Sequence, residues 1–158
     1  MLEPLADEII IRVRQAAELY YRLVLLVGKA GSGKTAALQV VHERTSAPLF
    51  NVNLELSRRM LDLTERQRAL QLPRLLTEIV GTSADDVILV DNIEILFDVS
   101  LMLDLLRLLQ GISRNKTVVA AWNGSIESNH VIYATPDHAE YKRYPLLDFL
   151  LVSKEAVA

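Results

Sequence analysis

The sequence predicts an α/β fold, a three-layer sandwich in which a mainly parallel sheet of about five strands lies between helices. Three observations predict it. Short, nearly continuous apolar runs at Leu23–Val27, Val87–Val90 and Thr117–Trp122 suit strands covered on both faces. Segments with apolar residues at helical spacing separate them, and such alternation favours parallel pairing. A glycine-rich stretch joins the first strand to the helix after it.

Taken in order, Leu5, Ile9, Val13, Ala16, Ala17 and Tyr20 recur at helical spacing, with Pro4 near the start, and predict a helix over 4–21. The first strand, 23–27, ends at Gly28, and Leu38 and Val41 with Glu43 and Arg44 restore helical spacing over 34–44. After the breaker Ala47-Pro48 a second strand is expected over 49–54. Residues 57–80 read as helix, split or kinked at Pro73. The third strand, 87–90, is closed by Asp91. Ser100 is placed to cap a helix with Leu101, Leu105 and Leu108 inward and Gly111 as its stop. The fourth strand, 117–122, carries Asn123 and Gly124 at its C-terminal end. Val131–Ala134 and Phe149–Val152 read as further strands, separated by the polar stretch Pro136–Tyr144.

A length of 158 residues suits one domain, read as an N-terminal helix (1–22), a core (23–135) and a C-terminal extension (136–158). Hydrophobic residues make up 51% of the chain, enough for a core and too many for disorder. Lys+Arg 17 against Asp+Glu 20 leaves a net charge of −3, which disfavours direct DNA binding because phosphate contacts need clustered cations. With Cys 0 there is no disulfide, cysteine zinc site or thiol nucleophile. No apolar run approaches the roughly 18 residues of a membrane span. Glu3, Asp7 and Glu8 stand where a secretory signal carries basic residues, so a cytoplasmic location is expected. His42, His130 and His138 lack metal-ligand spacing and read as surface or loop residues. Lys142-Arg143, between Tyr141 and Tyr144, reads as a partner contact or solvated loop, and Arg58, Arg59, Arg66 and Arg68 as a solvated helix face.

The chemistry concentrates in Gly28-Lys29-Ala30-Gly31-Ser32-Gly33-Lys34-Thr35, which matches G-x-x-x-x-G-K-[ST] in the strand-loop-helix setting that motif requires. Amides of such a loop converge with a helix N-terminus on one anion site, and glycines permit the dihedrals and the close approach. Lys34 is suited to the β- and γ-phosphates of a nucleotide, and the Thr35 hydroxyl to Mg²⁺. Asp91, at a strand tip, suits the magnesium side opposite Thr35, usually through water. Asn92 can orient water but cannot take its proton, whereas Glu94 is either a base turned towards the γ-phosphate or a solvated carboxylate. Asn123 is either a polar contact to phosphate or water, or an ordinary Asn-Gly turn; Trp122 beside it is expected to pack rather than to stack on a base.

With Gly28–Thr35, Val87–Asp91 and Asn123 in this order, the chain over residues 20–135 resembles P-loop ATPases of the additional-strand group, which includes AAA+ proteins. The resemblance implies a P-loop NTPase fold, ATP and Mg²⁺ as cofactors, and Asn123 as the polar sensor after the fourth strand. Val90–Glu94, Trp122-Asn123-Gly124 and Tyr141–Tyr144, together with the short length, resemble the small P-loop family of BREX phage-defence systems, BrxF. That likeness implies other BREX proteins as partners. Two departures from AAA+ proteins stand out. Little chain follows the fifth strand, so the usual helical lid is not expected. Gly124–Asn129 contains no Arg, so a finger arginine must come from Arg114, Arg143 or another protein.

Three functions fit these residues. The first is an ATPase or ATP-dependent switch, slow alone and completed by homo-oligomerisation or by a partner. The second is a small-molecule kinase, which would need an arginine-bearing lid and an acceptor pocket. The third is a scaffold that binds nucleotide without hydrolysing it.

Overall fold

The computed structural model describes residues 3–97, 104–134, 137, 139–145 and 149–153. Five parallel strands form the central sheet: β1 (Leu23–Gly28), β2 (Leu49–Asn51), β3 (Val87–Asp91), β4 (Thr117–Asn123) and β8 (Leu150–Ser153), in the order β2-β3-β4-β1-β8. β4 lies between the strand that feeds the glycine loop and the strand that ends in Asp91. All five strands therefore point their C-terminal ends to one edge.

Alternation along the strands divides the core into two layers. Val24, Leu26, Leu89, Val119 and Ala121 face α1 (Glu3–Ala16) and α2 (Lys34–Thr45). Leu23, Leu25, Val27, Ile88, Val90, Val118, Ala120 and Trp122 face α3 (Val52–Met60), α4 (Glu65–Gly81) and α5 (Leu105–Ile112). This is the expected α/β sandwich.

Several boundaries differ from those the sequence predicts. α1 stops at Ala16, not at residue 21; Tyr20 lies outside it, 64% exposed, with the Arg114 guanidinium 4.7 Å from its ring centroid. β2 ends at Asn51 instead of 54, because the Asn51 side chain accepts from Leu54 N (3.0 Å) and starts α3 there. The helical break falls at 61–64, not at Pro73. Thr64 and Gln67 form a capping box, with Gln67 N donating to Thr64 Oγ1 (3.2 Å) and Thr64 N donating to Gln67 Oε1 (2.9 Å). Pro73 sits inside α4, where it costs about 3 kcal/mol. Burial of Leu72, Leu75, Leu76, Ile79 and Val80, at about 1.5–3 kcal/mol each, more than offsets that. Gly111 lies within α5, and Asp104 caps this helix by accepting from Arg107 N (3.2 Å); Leu105 is buried and Leu108 half-buried. The Ser100 cap and Leu101 fall outside the described residues, as does His138.

A second, antiparallel sheet follows β4: β5 (Ser125–Glu127), β6 (His130–Tyr133) and β7 (Lys142–Pro145). Ser128 and Asn129, at φ 49° and 61°, form the two-residue turn with both φ positive that joins β5 to β6. Lys142 and Arg143 thus lie on a strand and not in a loop. Gly124 is required at the junction, since a Cβ there would come within 1.9 Å of Ile132 O. Trp122 is fully buried, donates Nε1–H to Ile132 O (3.2 Å) and meets Phe97 edge-on at 5.1 Å, while Tyr133 stacks on Phe97 at 3.6 Å. This packing fixes the small sheet beside the C-terminal ends of β3 and β4.

Candidate functional site

The edge where the parallel strands end carries a cleft of about 510 Å³. Its walls come from the glycine loop and the start of α2 (Ala30, Gly31, Gly33, Lys34, Thr35), from the β3 exit (Asp91, Asn92, Glu94) and from Asn123. Parallel β1, β3 and β4 bring these separate segments together. Gly31 and Gly33 have φ of 78° and 97°, values that residues with a Cβ adopt only at a cost, so the loop needs glycine at both positions.

Lys34 is 6% exposed, and its ammonium donates to Gly28 O (3.0 Å) and Lys29 O (2.7 Å), with Ser32 Oγ at 3.5 Å. Burial lowers its pKa, while the Glu94 and Asp91 carboxylates pull the other way. Gly28 O also accepts from Gly124 N (3.0 Å), which ties the loop to the β4–β5 junction. Thr35 Oγ1 donates to Asp91 Oδ2 at 2.6 Å, and Asp91 Oδ1 accepts from Asn92 N at 2.8 Å.

β3 ends at Asp91, and Asn92 has φ 56°. The chain then turns into a 3₁₀ helix, Ile93–Phe97, that buries Ile93, Leu96 and Phe97 and leaves Glu94 half-buried against the cleft. Asn123 Nδ2 donates to Glu94 Oε1 (2.7 Å). Burial raises the Glu94 pKa and Asp91 adds to it; the Glu94 backbone hydrogen bond, Lys34 and the bond from Asn123 oppose the rise. Asn123 is the last residue of β4 and does not form the β5–β6 turn, which falls at Ser128 and Asn129.

A hydroxyl and a carboxylate 2.6 Å apart form a hard oxygen pair of the kind Mg²⁺ takes alongside phosphate and water. Among the described residues no group of three or more His, Cys, Asp or Glu side chains could hold a metal by itself, so the remaining ligands would have to come from nucleotide and solvent. The residues fit Mg-nucleotide.

Ala36 and Gln39 also line the cleft, and the motif did not indicate them. Their signal is helical period: Gln39 is four residues after Thr35 on α2 and shares its face. A second cavity of about 380 Å³, lined by Asn53, Asn92, Glu94, Ile95, Tyr133 and Glu140, shares Asn92 and Glu94 with the first. Among the described residues, no arginine lines either cavity. Arg114 precedes β4 at the opposite end from Asn123, and Arg143 is exposed on β7. His42 Nδ1 lies 2.6 Å from Ala47 O and His130 Nδ1 2.8 Å from Ser128 O, both local contacts. Arg58, Arg59 and Arg66 are exposed, but Arg68 is half-buried and donates Nε–H to Leu63 O (3.1 Å). No helix among the described residues is long and apolar enough to cross a membrane.

Residues 24–140, about three quarters of the chain, match the AAA family, ATPase family associated with various cellular activities. The chain belongs to the AAA family. No curated protein matches this AAA-family sequence. Among solved structures, C. elegans PCH-2 is similar, with a TM-score of 0.47 and 14% identity over 96% of this chain and 42% of PCH-2. The chain thus spans less than half of PCH-2.

Proposed function

We propose that the chain binds Mg-ATP in the 510 Å³ cleft and hydrolyses it, slowly alone and faster when a second copy or a partner completes the site. The observation that carries this reading is the pairing of Thr35 with Asp91 and of Asn123 with Glu94 on the walls of one cleft that also holds Lys34. Membership of the AAA family supports it.

The roles follow from the chemistry. Gly28, Lys29, Ala30, Gly31, Ser32 and Gly33 shape the loop that cradles the phosphates. Lys34 exchanges two neutral carbonyls for phosphate oxygens, so its cation, which already makes charge-assisted hydrogen bonds to Gly28 O and Lys29 O, gains an anionic partner in their place. Thr35 and Asp91 would hold Mg²⁺, which would supply positive charge against that of the phosphates. Glu94 accepts the proton of the attacking water, and burial has already raised its affinity for one. Asn123 orients Glu94 through the 2.7 Å bond.

Since no arginine among the described residues lines the cleft, the site lacks the arginine that, supplied in trans, raises such rates by roughly 10³–10⁵. Acting beside other BREX proteins in phage defence is the wider role we assign. The likeness at Val90–Glu94, Trp122–Gly124 and Tyr141–Tyr144 supports it. Recovery with co-expressed BREX proteins in ATP, lost in Lys34→Ala, is the expected result; equal recovery of that variant contradicts it.

The second cavity favours one other reading, a kinase, because Glu94 stands between the cleft and a space for an acceptor. Single-turnover reactions with excess protein, Mg²⁺ and ATP separate the two. Free phosphate supports hydrolysis, phosphate on an added hydroxyl compound supports the kinase, and ATP recovered intact rejects both. Mass in solution under the same conditions reports whether ATP assembles the chain.

A further inference from the structure

We infer that Asn92 is a positioning residue whose left-handed backbone delivers Glu94 to the cleft. This rests on Glu94 acting as the base. Strand alternation puts Ile88 and Val90 on the α3–α5 side of the sheet, and Leu89 and Asp91 on the α2 side, where Asp91 meets Thr35. Were β3 to continue, residues 92 and 94 would share the face of Ile88 and Val90. Glu94 would then lie about 10 Å beyond Asp91, past the cleft. Instead the strand stops, Asn92 adopts φ 56°, and the 3₁₀ helix begins one residue later.

Two backbone hydrogen bonds hold the bend. Asn92 N donates to Asp91 Oδ1 (2.8 Å), and Asn92 O accepts from Asn53 N (3.1 Å) at the start of α3. Burial of Ile93, Leu96 and Phe97 then sets the rotation of the 3₁₀ helix so that Glu94 reaches Asn123. Positive φ is rare outside glycine, asparagine is among the residues that tolerate it best, and a β-branched residue is a severe outlier there. The backbone conformation, rather than the amide group, is therefore the property this position supplies.

The test compares Asn92→Gly, which keeps positive φ accessible, with Asn92→Val, which opposes it. In nucleotide-free protein, the Asn123 side-chain amide resonance reports its bond to Glu94; Asn92→Gly should retain the native shift and Asn92→Val should lose it. In single-turnover hydrolysis at saturating ATP, Asn92→Val should be slower than Asn92→Gly by about a hundredfold, the scale of a misplaced catalytic group. Equal amide shifts in the two variants, or Asn92→Gly as impaired as Asn92→Val, overturn the inference. Near-ultraviolet circular dichroism checks folding, and Asn92→Ala, a milder opponent of positive φ, replaces valine if that variant does not fold. Glu94→Gln run alongside separates the two claims: native turnover in it removes Glu94 as base, while the amide shifts still decide what Asn92 does.

Discussion

Lys34 and Lys116 hold the same kind of bond at opposite ends of the sheet. Lys116 precedes β4 and donates to Ser83 O (2.5 Å) and Asp85 O (2.8 Å), closing the loop between α4 and β3. Lys34, at the C-terminal edge, donates to Gly28 O and Lys29 O. Their surroundings differ. Lys34 is buried, has a lowered pKa, sits near Glu94 and Asp91, and lines a cleft. Lys116 is half-buried on a separate groove with Thr77, Arg107 and Asn115. A lysine that bonds two carbonyls is a staple where nothing else asks for its charge, and a donor in waiting where burial makes that charge costly to keep and the cleft beside it carries metal-binding and acid-base groups.

The largest expected contrast lies in catalysis. Glu94→Gln should bind ATP yet hydrolyse it about 10²–10⁴-fold more slowly in single turnover, the range for loss of a general base, whereas Lys116→Ala should hydrolyse at the native rate. Because the Glu94 pKa is raised and the base works deprotonated, native turnover should climb with pH through a value above the ordinary carboxylate range. A flat profile across that window would break the assignment. Next, Asp91→Ala should abolish the magnesium dependence of ATP affinity, read by titration with and without the metal.

Smaller effects sharpen the structural half of the comparison. Lys116→Ala should lower unfolding free energy by about 1–2 kcal/mol, measured by urea titration, because it leaves Ser83 O and Asp85 O without their ammonium donor. Glu94→Gln should act in the opposite direction near neutral pH. A carboxyl whose folded pKa is raised stabilises fully below its unfolded value and loses that contribution as pH rises through the folded one, so the neutral amide should gain stability at pH 7 and nothing at pH 3.

Much of the site is legible in the sequence because its parts are local. The glycine loop, Asp91 and Asn123 each terminate an apolar strand, and β1, β3 and β4 carry such runs almost without interruption. Elements decided by a single cap or by distant pairing are harder to read. Asn51 stops β2 with one side-chain bond in a segment apolar enough to continue as a strand. Pro73 looks like a break only until the burial along α4 is known. β7 is polar and becomes a strand because β6 pairs with it in the register Tyr133↔Lys142 to His130↔Pro145. The orientation of Glu94 depends on the φ of Asn92, which no periodicity records.

The most direct test of a phosphate-binding Lys34 is calorimetric titration of ATP with Mg²⁺ into the native chain, Lys34→Ala and Lys116→Ala. Saturable binding to the native chain is expected, with an affinity about a hundredfold weaker in Lys34→Ala and a change within about twofold in Lys116→Ala. Equal affinity in all three proteins, or no heat from the native chain, would contradict it.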